Sequence, residues 1–155
     1  MSEYLPATGQ AAQELVLLHG WGSNREIWRP LLAQVRPWAN VTLVDLPGVA
    51  PGCGDEPPSL DSLVSALLEA APGCATYLGW SLGGQLAIEL ASRQPQRVSA
   101  LLTLCSSPRF TADGTWPGMD PQQLHRFALE CEESPGHALR RFDSLQLAGA
   151  DRPRA

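Results

Sequence analysis

With 155 residues, 44% of them apolar and 17% charged, the chain is long enough for one globular domain with a core of its own and too short for two. A formal net charge of -5 argues against general nucleic-acid affinity, which needs a basic face, and no stretch approaches the roughly 20 apolar residues of a membrane span. Met1-Ser2-Glu3-Tyr4 lacks the basic start of a secretory signal, so a cytoplasmic location is expected.

Cys53, Cys74, Cys105 and Cys131 are widely spaced and contain no C-x-x-C pair. They read as ordinary reduced thiols rather than a zinc site or a disulfide framework, and no metal or other cofactor is expected. All 11 basic residues are arginine, a bias of composition without a functional reading.

Glu14-Leu15-Val16-Leu17-Leu18-His19-Gly20 is a short apolar run closed by glycine, which suits a strand buried on both faces. Ser23-Asn24-Arg25-Glu26 has the spacing of a capping box and leads into Ile27, Trp28, Leu31, Leu32 and Val35 at helical intervals, with Pro30 limiting the helix near its start. Val41 to Pro47 predicts a second buried strand, and the Gly- and Pro-rich stretch from Pro47 to Pro58 a loop.

Ser59 caps a predicted helix through Leu60, Leu63, Val64, Leu67 and Leu68, which Pro72-Gly73 stops. Ala75 to Gly79 predicts a third strand, Leu82 to about Arg93 a helix ended by Gln94-Pro95, and Val98 to Cys105 a fourth strand. Strands alternating with helices imply an α/β fold: a mostly parallel sheet covered on both faces. After Ser106-Ser107-Pro108 the pattern changes. Asp120-Pro121 and Ser134-Pro135 each place a cap before an N1 proline, predicting helices over about 122–131 and 136–147 with no strand between them. The expected division is a core over 1–108 and a helical segment over 109–155.

Gly79-Trp80-Ser81-Leu82-Gly83 fits Gly-x-Ser-x-Gly. By itself the pattern is weak, since a small-residue turn would match it equally well. Its context is more specific. A strand ends at Gly79 and a helix starts at Leu82, so a sharp turn would lift the Ser81 hydroxyl above the sheet while the helix N-terminus aims free N–H groups at the same place. Small residues at 79, 83 and 84 answer the need for close backbone approach.

His19-Gly20-Trp21-Gly22 follows the first buried strand, where such a fold needs a loop donating an N–H to an oxyanion. In that reading the amides of Trp21 and Leu82 form the oxyanion hole, an effect worth roughly 3 to 4 kcal/mol per donor. The His19 imidazole is expected to bond within its own loop and transfer no proton. A serine nucleophile also needs a base and an orienting carboxylate. His125 and His137 fall on predicted helices of the last segment and read as solvated helix residues; Asp113, Asp120, Asp143 and Asp151 belong to the same segment rather than to a loop at a strand end, so no complete triad is expected within the chain.

Together with Leu17-Leu18-His19-Gly20-Trp21-Gly22, Val44-Asp45-Leu46-Pro47-Gly48 and Ser106-Ser107-Pro108, this motif resembles the α/β-hydrolase family. More narrowly it resembles the family's cytoplasmic carboxylesterases that act on a pimeloyl chain in biotin synthesis. Trp116-Pro117-Gly118 and Arg141-Phe142-x-x-Leu145-Gln146 carry the likeness into the helical segment, which the resemblance makes a lid.

The resemblance implies removal of a methyl group from a pimeloyl methyl ester carried on acyl carrier protein. Ser81 would be the nucleophile, with Trp21 and Leu82 as oxyanion donors and substrate contacts. Phe142, Leu145 and Gln146 would line the substrate channel, and Arg141 and Arg154 would dock the acidic carrier protein. It further implies that the catalytic Asp and His belong to a longer chain of which this is the N-terminal part. The residues from Val49 to Asp55 depart from the usual pattern of relatives. Two alternatives stay open: a truncated, non-catalytic acyl-binding module, and a general short-chain esterase or thioesterase.

Overall fold

In the computed structural model, which describes residues 2–48 and 58–148, the apolar runs become four strands of a single five-stranded sheet. The strands are β1 (Ser2–Leu5), β2 (Gln13–Leu18), β3 (Ala39–Val44), β4 (Ala75–Trp80) and β5 (Val98–Leu104), in the order β1-β3-β2-β4-β5. All neighbours are parallel except β1, which runs antiparallel to β3. The sheet is thus the mostly parallel one that the alternation of strands and helices predicts. β1 is an addition: four residues of alternating exposure beside a proline give too short a signal to separate from a disordered terminus.

Residues of β2 alternate between two cores, because successive strand side chains point to opposite faces. Leu15 and Leu17 join Trp28, Val35, Val41 and Leu43 on one face. Val16 and Leu18 join Leu63, Leu67, Tyr77, Leu86 and Leu90 on the other. The second face is covered by α2 (Leu60–Ala70) and α3 (Leu82–Arg93), and the first by a 3-10 helix (Arg25–Leu31) that runs into α1 (Leu32–Val35).

That last segment differs from the expected capping box. Asn24, not Ser23, caps it, its Oδ1 accepting from the Glu26 N–H at 2.9 Å, and the turns are 3-10 up to Leu31. Pro30 explains the change, since a proline inside the segment has no N–H to give to the carbonyl one α-turn back. Ser59 caps α2 as predicted, accepting from the Ser62 N–H at 3.1 Å.

By its internal packing the chain divides into two compact units, Met1–Arg109 and Phe110–Ala155. The second holds α4 (Pro121–Glu133) and α5 (Pro135–Leu147), each starting at its N1 proline, with Asp120 Oδ1 accepting from the Gln122 N–H at 2.7 Å. Between these helices the rings of Phe127 and Phe142 lie 5.9 Å apart. Glu130 accepts from His137 Nδ1 at 2.8 Å and pairs with the Arg141 guanidinium.

Candidate functional site

Ser81 stands between the last residue of β4 and the first of α3 with no loop on either side. Turning a strand into a helix within one residue forces its backbone to φ 55, ψ -118, a region that L-residues adopt only when their surroundings hold them there. The glycines around it make the turn possible. A Cβ at Gly83 would lie 2.5 Å from the carbonyl oxygens of Leu18 and His19, so the first turn of α3 presses directly on the end of β2. A Cβ at Gly79 would overlap the Gly83 backbone. Gly84 answers to a different neighbour: a Cβ there would meet the side chain of Ser106 at 2.6 Å.

The loop after β2 lies against this turn. A Cβ at Gly20 would be 3.2 Å from Ser81 Cβ and 3.1 Å from the Trp80 ring, so the Gly20–Trp21 segment and the serine approach as closely as their chemistry allows. Trp21 itself packs partly buried against the core that contains Leu86 and Leu90.

His19 fixes the geometry of that loop. It is 2% exposed, its Nδ1 is 2.8 Å from the Gly20 carbonyl oxygen, and its Nε2 accepts from the Leu46 N–H at 3.0 Å. Because a backbone N–H can only donate, Nε2 must be the acceptor and Nδ1–H the donor, which makes His19 a neutral imidazole of one tautomer. Burial pushes its pKa below the ordinary value, against the smaller opposing effects of the Gly20 carbonyl and the Asp45 charge. With both nitrogens engaged His19 carries no proton to or from Ser81. The bond to its own loop matches the reading from sequence; the link to Leu46, at the end of β3, was not foreseeable from local pattern.

Gly20 O also receives the Ser23 N–H at 3.3 Å. In a trans peptide the C=O and the following N–H point in opposite directions, so the Trp21 N–H is directed away from His19. The Leu82 N–H belongs to the first turn of α3, where no intrahelical acceptor exists. Ser81 is half-buried, and among the described residues none hydrogen-bonds its hydroxyl. Beside the turn, Leu46, Leu63, Leu82, Leu86 and Pro108, together with Gln85 and Glu89, line a cavity of mixed polarity of about 170 Å³.

The first unit thus brings together Ser81, Leu82 and Trp21. Phe142, Leu145 and Gln146 lie on α5 of the second unit, Phe142 half-buried and Leu145 63% exposed. Arg141, on the same helix, is paired with Glu130 rather than standing as an isolated cation. Arg154 and the loop from Val49 to Asp55 lie outside the described residues. His125 and His137 sit on α4 and α5. Among the described residues Cys74, Cys105 and Cys131 are free thiols, no cluster of His, Cys, Asp and Glu has the make-up of a metal site, and no helix is long and apolar enough to cross a membrane.

The sequence profile described as "Alpha/beta hydrolase family" matches residues 15–154. A pimeloyl-[acyl-carrier protein] methyl ester esterase of Edwardsiella ictaluri is 44% identical over 146 residues, covering 94% of this chain and 57% of the relative. A protein of the same name from Cronobacter sakazakii is 41% identical over 147 residues, again with 57% of the relative covered. The chain therefore spans little more than half the length of these curated relatives.

Among solved structures, the enol-lactonase from Burkholderia xenovorans superposes with a TM-score of 0.75 at 21% identity, over 97% of this chain and 57% of that one. An esterase from Exiguobacterium antarcticum gives 0.73 at 21% identity, over 92% and 55%. At such identities the likeness is one of fold.

Proposed function

Since the chain belongs to the alpha/beta hydrolase family, we propose that it carries the nucleophile and oxyanion hole of a serine carboxylesterase whose substrate is the methyl ester of pimeloyl-[acyl-carrier protein]. The products are the free pimeloyl acid on its carrier and methanol, a step of biotin synthesis in the cytoplasm. The substrate is taken from the relatives' names. The observation that carries the reaction class is Ser81, held at φ 55 between β4 and α3 with the Gly20–Trp21 loop against it.

Ser81 Oγ attacks the ester carbonyl carbon and its proton passes to a base. The carbonyl electron pair moves to oxygen, where the Leu82 and Trp21 amides receive the charge. Collapse expels methanol, protonated by the same base, and water then cleaves the acyl-serine. His19 is not that base, because both of its ring nitrogens are committed to backbone partners. We assign the base and its carboxylate to the part of the relatives that this chain does not span.

The second unit acts as the lid, with Phe142, Leu145 and Gln146 toward the acyl chain. Docking of the acidic carrier is assigned to Arg141, which keeps its pairing with Glu130 in the free protein, and to Arg154.

The test is methanol release from pimeloyl-carrier methyl ester by the protein at its natural full length, with a fluorophosphonate probe to map the labelled serine. Ser81→Ala is expected to lower turnover roughly ten-thousand-fold or more and to abolish labelling. Turnover that survives the substitution would remove Ser81 from the mechanism. Hydrolysis of the carrier thioester in place of the methyl ester would change the substrate while keeping the nucleophile.

A further inference from the structure

Two non-glycine residues among those described have positive φ: Ser81 at 55 and Cys105 at 48. They are 24 positions apart in sequence yet share one set of hydrogen bonds. The Ser81 N–H donates to the Leu104 carbonyl at 2.9 Å, one step beyond the last β4–β5 pair, Trp80 with Leu104. Cys105 then turns the chain through the left-handed region, and the next residue, Ser106, donates its hydroxyl back to the Ser81 carbonyl at 2.7 Å. Both backbone polar groups of Ser81 are therefore held by the end of β5. One turn further along α3, Gln85 Nε2 donates to the Ser107 carbonyl at 3.0 Å.

We propose that Ser106 is a positioning residue for the Ser81–Leu82 peptide, aiming the Leu82 N–H at the oxyanion by anchoring the carbonyl on the other side of the same rigid plane. The reasoning follows from peptide geometry. The Ser81 C=O and the Leu82 N–H belong to one planar trans unit and point in opposite directions. The Gly84 and Gln85 N–H groups also reach that carbonyl, at 3.0 and 3.2 Å, but both belong to α3 and move with it. Ser106 is the donor from outside the helix, and its bond is the shortest of the three. It therefore fixes the plane relative to the sheet, where β4 presents the nucleophile.

Gly84 belongs to the same device. The hydroxymethyl group of Ser106 occupies the space that a side chain at 84 would need, 2.6 Å from the position of its Cβ, so the second glycine of Gly83-Gly84 leaves room for the hydroxyl. The small residue that the Gly-x-Ser-x-Gly-Gly run requires at 84 is thus explained by a residue more than 20 positions downstream.

The inference rests on the reading of Ser81 and Leu82 as nucleophile and oxyanion donor, and its test separates the two. In the full-length protein, Ser106→Ala is expected to lower kcat about ten-fold with KM within two-fold, because the hydrogen bond acts on the donor to the transition state. Ser81, then tied to the end of β5 through its N–H alone while its carbonyl keeps only the two donors of α3, should exchange that N–H with solvent at least ten-fold faster.

Gly84→Ala should lower both the melting temperature and kcat by displacing the Ser106 side chain. The double variant Gly84→Ala/Ser106→Gly removes the nearest obstacle to the methyl group, leaving the Gly79 carbonyl at 3.0 Å, and should recover most of the melting temperature but not kcat. An unchanged kcat in Ser106→Ala, or full recovery of kcat in the double variant, would overturn the proposal. If the unsubstituted protein turns over no ester, the esterase reading fails, and the exchange measurement decides alone: an unchanged Ser81 amide in Ser106→Ala overturns the positioning role.

Discussion

Four leucines form one row across the sheet. Leu43 of β3 pairs with Leu17 of β2, Leu17 with Leu78 of β4, and Leu78 with Leu102 of β5. Leu43 and Leu17 are 0% exposed, whereas Leu102 is 48% exposed, and its neighbours Leu101 and Leu104 are 37% and 45% exposed. Residue type and backbone conformation are the same at both ends of the row, so position in the sheet decides the energetics. A leucine flanked by strands and roofed by the 3-10 helix is core, and the same leucine on an open edge is surface. The contrast matters for the site, since the exposed strand is also the one whose end holds Ser81 through Leu104 and Ser106. Rigidity at the turn is supplied by hydrogen bonds where burial is thin.

The contrast can be broken most directly at its buried end. Leu17→Ala should cost about 3 to 4 kcal/mol in urea unfolding, the range for a leucine with no room to collapse around the cavity. A cost below about 1 kcal/mol would mean that the centre of the row is no better packed than its edge.

A smaller effect is expected where polar groups are buried beside the same strand. His19→Leu leaves the Leu46 N–H without its partner and the Gly20 carbonyl with the Ser23 N–H alone, at about 2 kcal/mol. The pH dependence sharpens the point. Burial holds the folded pKa of His19 below its ordinary value of 6.5, so the unfolded chain binds a proton that the fold refuses. Stability is therefore complete above about pH 6.5 and declines as pH falls through that value toward the folded pKa. Calorimetry between pH 5 and 7 should show that slope in the unsubstituted protein and a flatter one in His19→Leu. Equal slopes would mean that the imidazole is not held neutral.

The smallest change belongs to the edge. In the 155-residue chain, Leu102→Lys should alter stability by no more than about 0.5 kcal/mol while reducing self-association, because a charge on an open strand blocks edge-to-edge pairing. A loss above about 2 kcal/mol in a monomeric sample would show that β5 is buried after all.

Much of the site was legible in the residues. Leu82 to Arg93 reads as a helix from its apolar spacing, and the structure places α3 over the same residues. Ala75 to Gly79 reads as a strand, and β4 extends it by Trp80 alone. With both in place, a turn at Ser81 follows from chain geometry, and so does the need for glycine on either side.

What stayed illegible were effects with partners far away in sequence. Gly84 reads as one more small residue of the turn, and the Gly79 carbonyl does crowd it at 3.0 Å, but the closest atoms, at 2.6 Å, belong to Ser106. The resemblance offers Arg141 for carrier docking, and no local pattern shows that Glu130, a helix away, pairs with it. Pro30 was recognised as a limit on its helix, yet the pattern of Ile27, Trp28 and Leu31 could not show that the turns would tighten to 3-10.

The residues by themselves determined the order of strands and helices, the α/β class and the strained serine between β4 and α3, because each depends on side-chain periodicity and backbone sterics within a few positions. Only the tertiary structure decided that β5 pairs with β4, that β1 adds antiparallel to β3, and that His19 meets Leu46 and Ser106 meets Ser81. Those outcomes depend on which strands pair and in what register, and the pairing free energy is shared among residues 23 or more positions apart, where no local pattern records it.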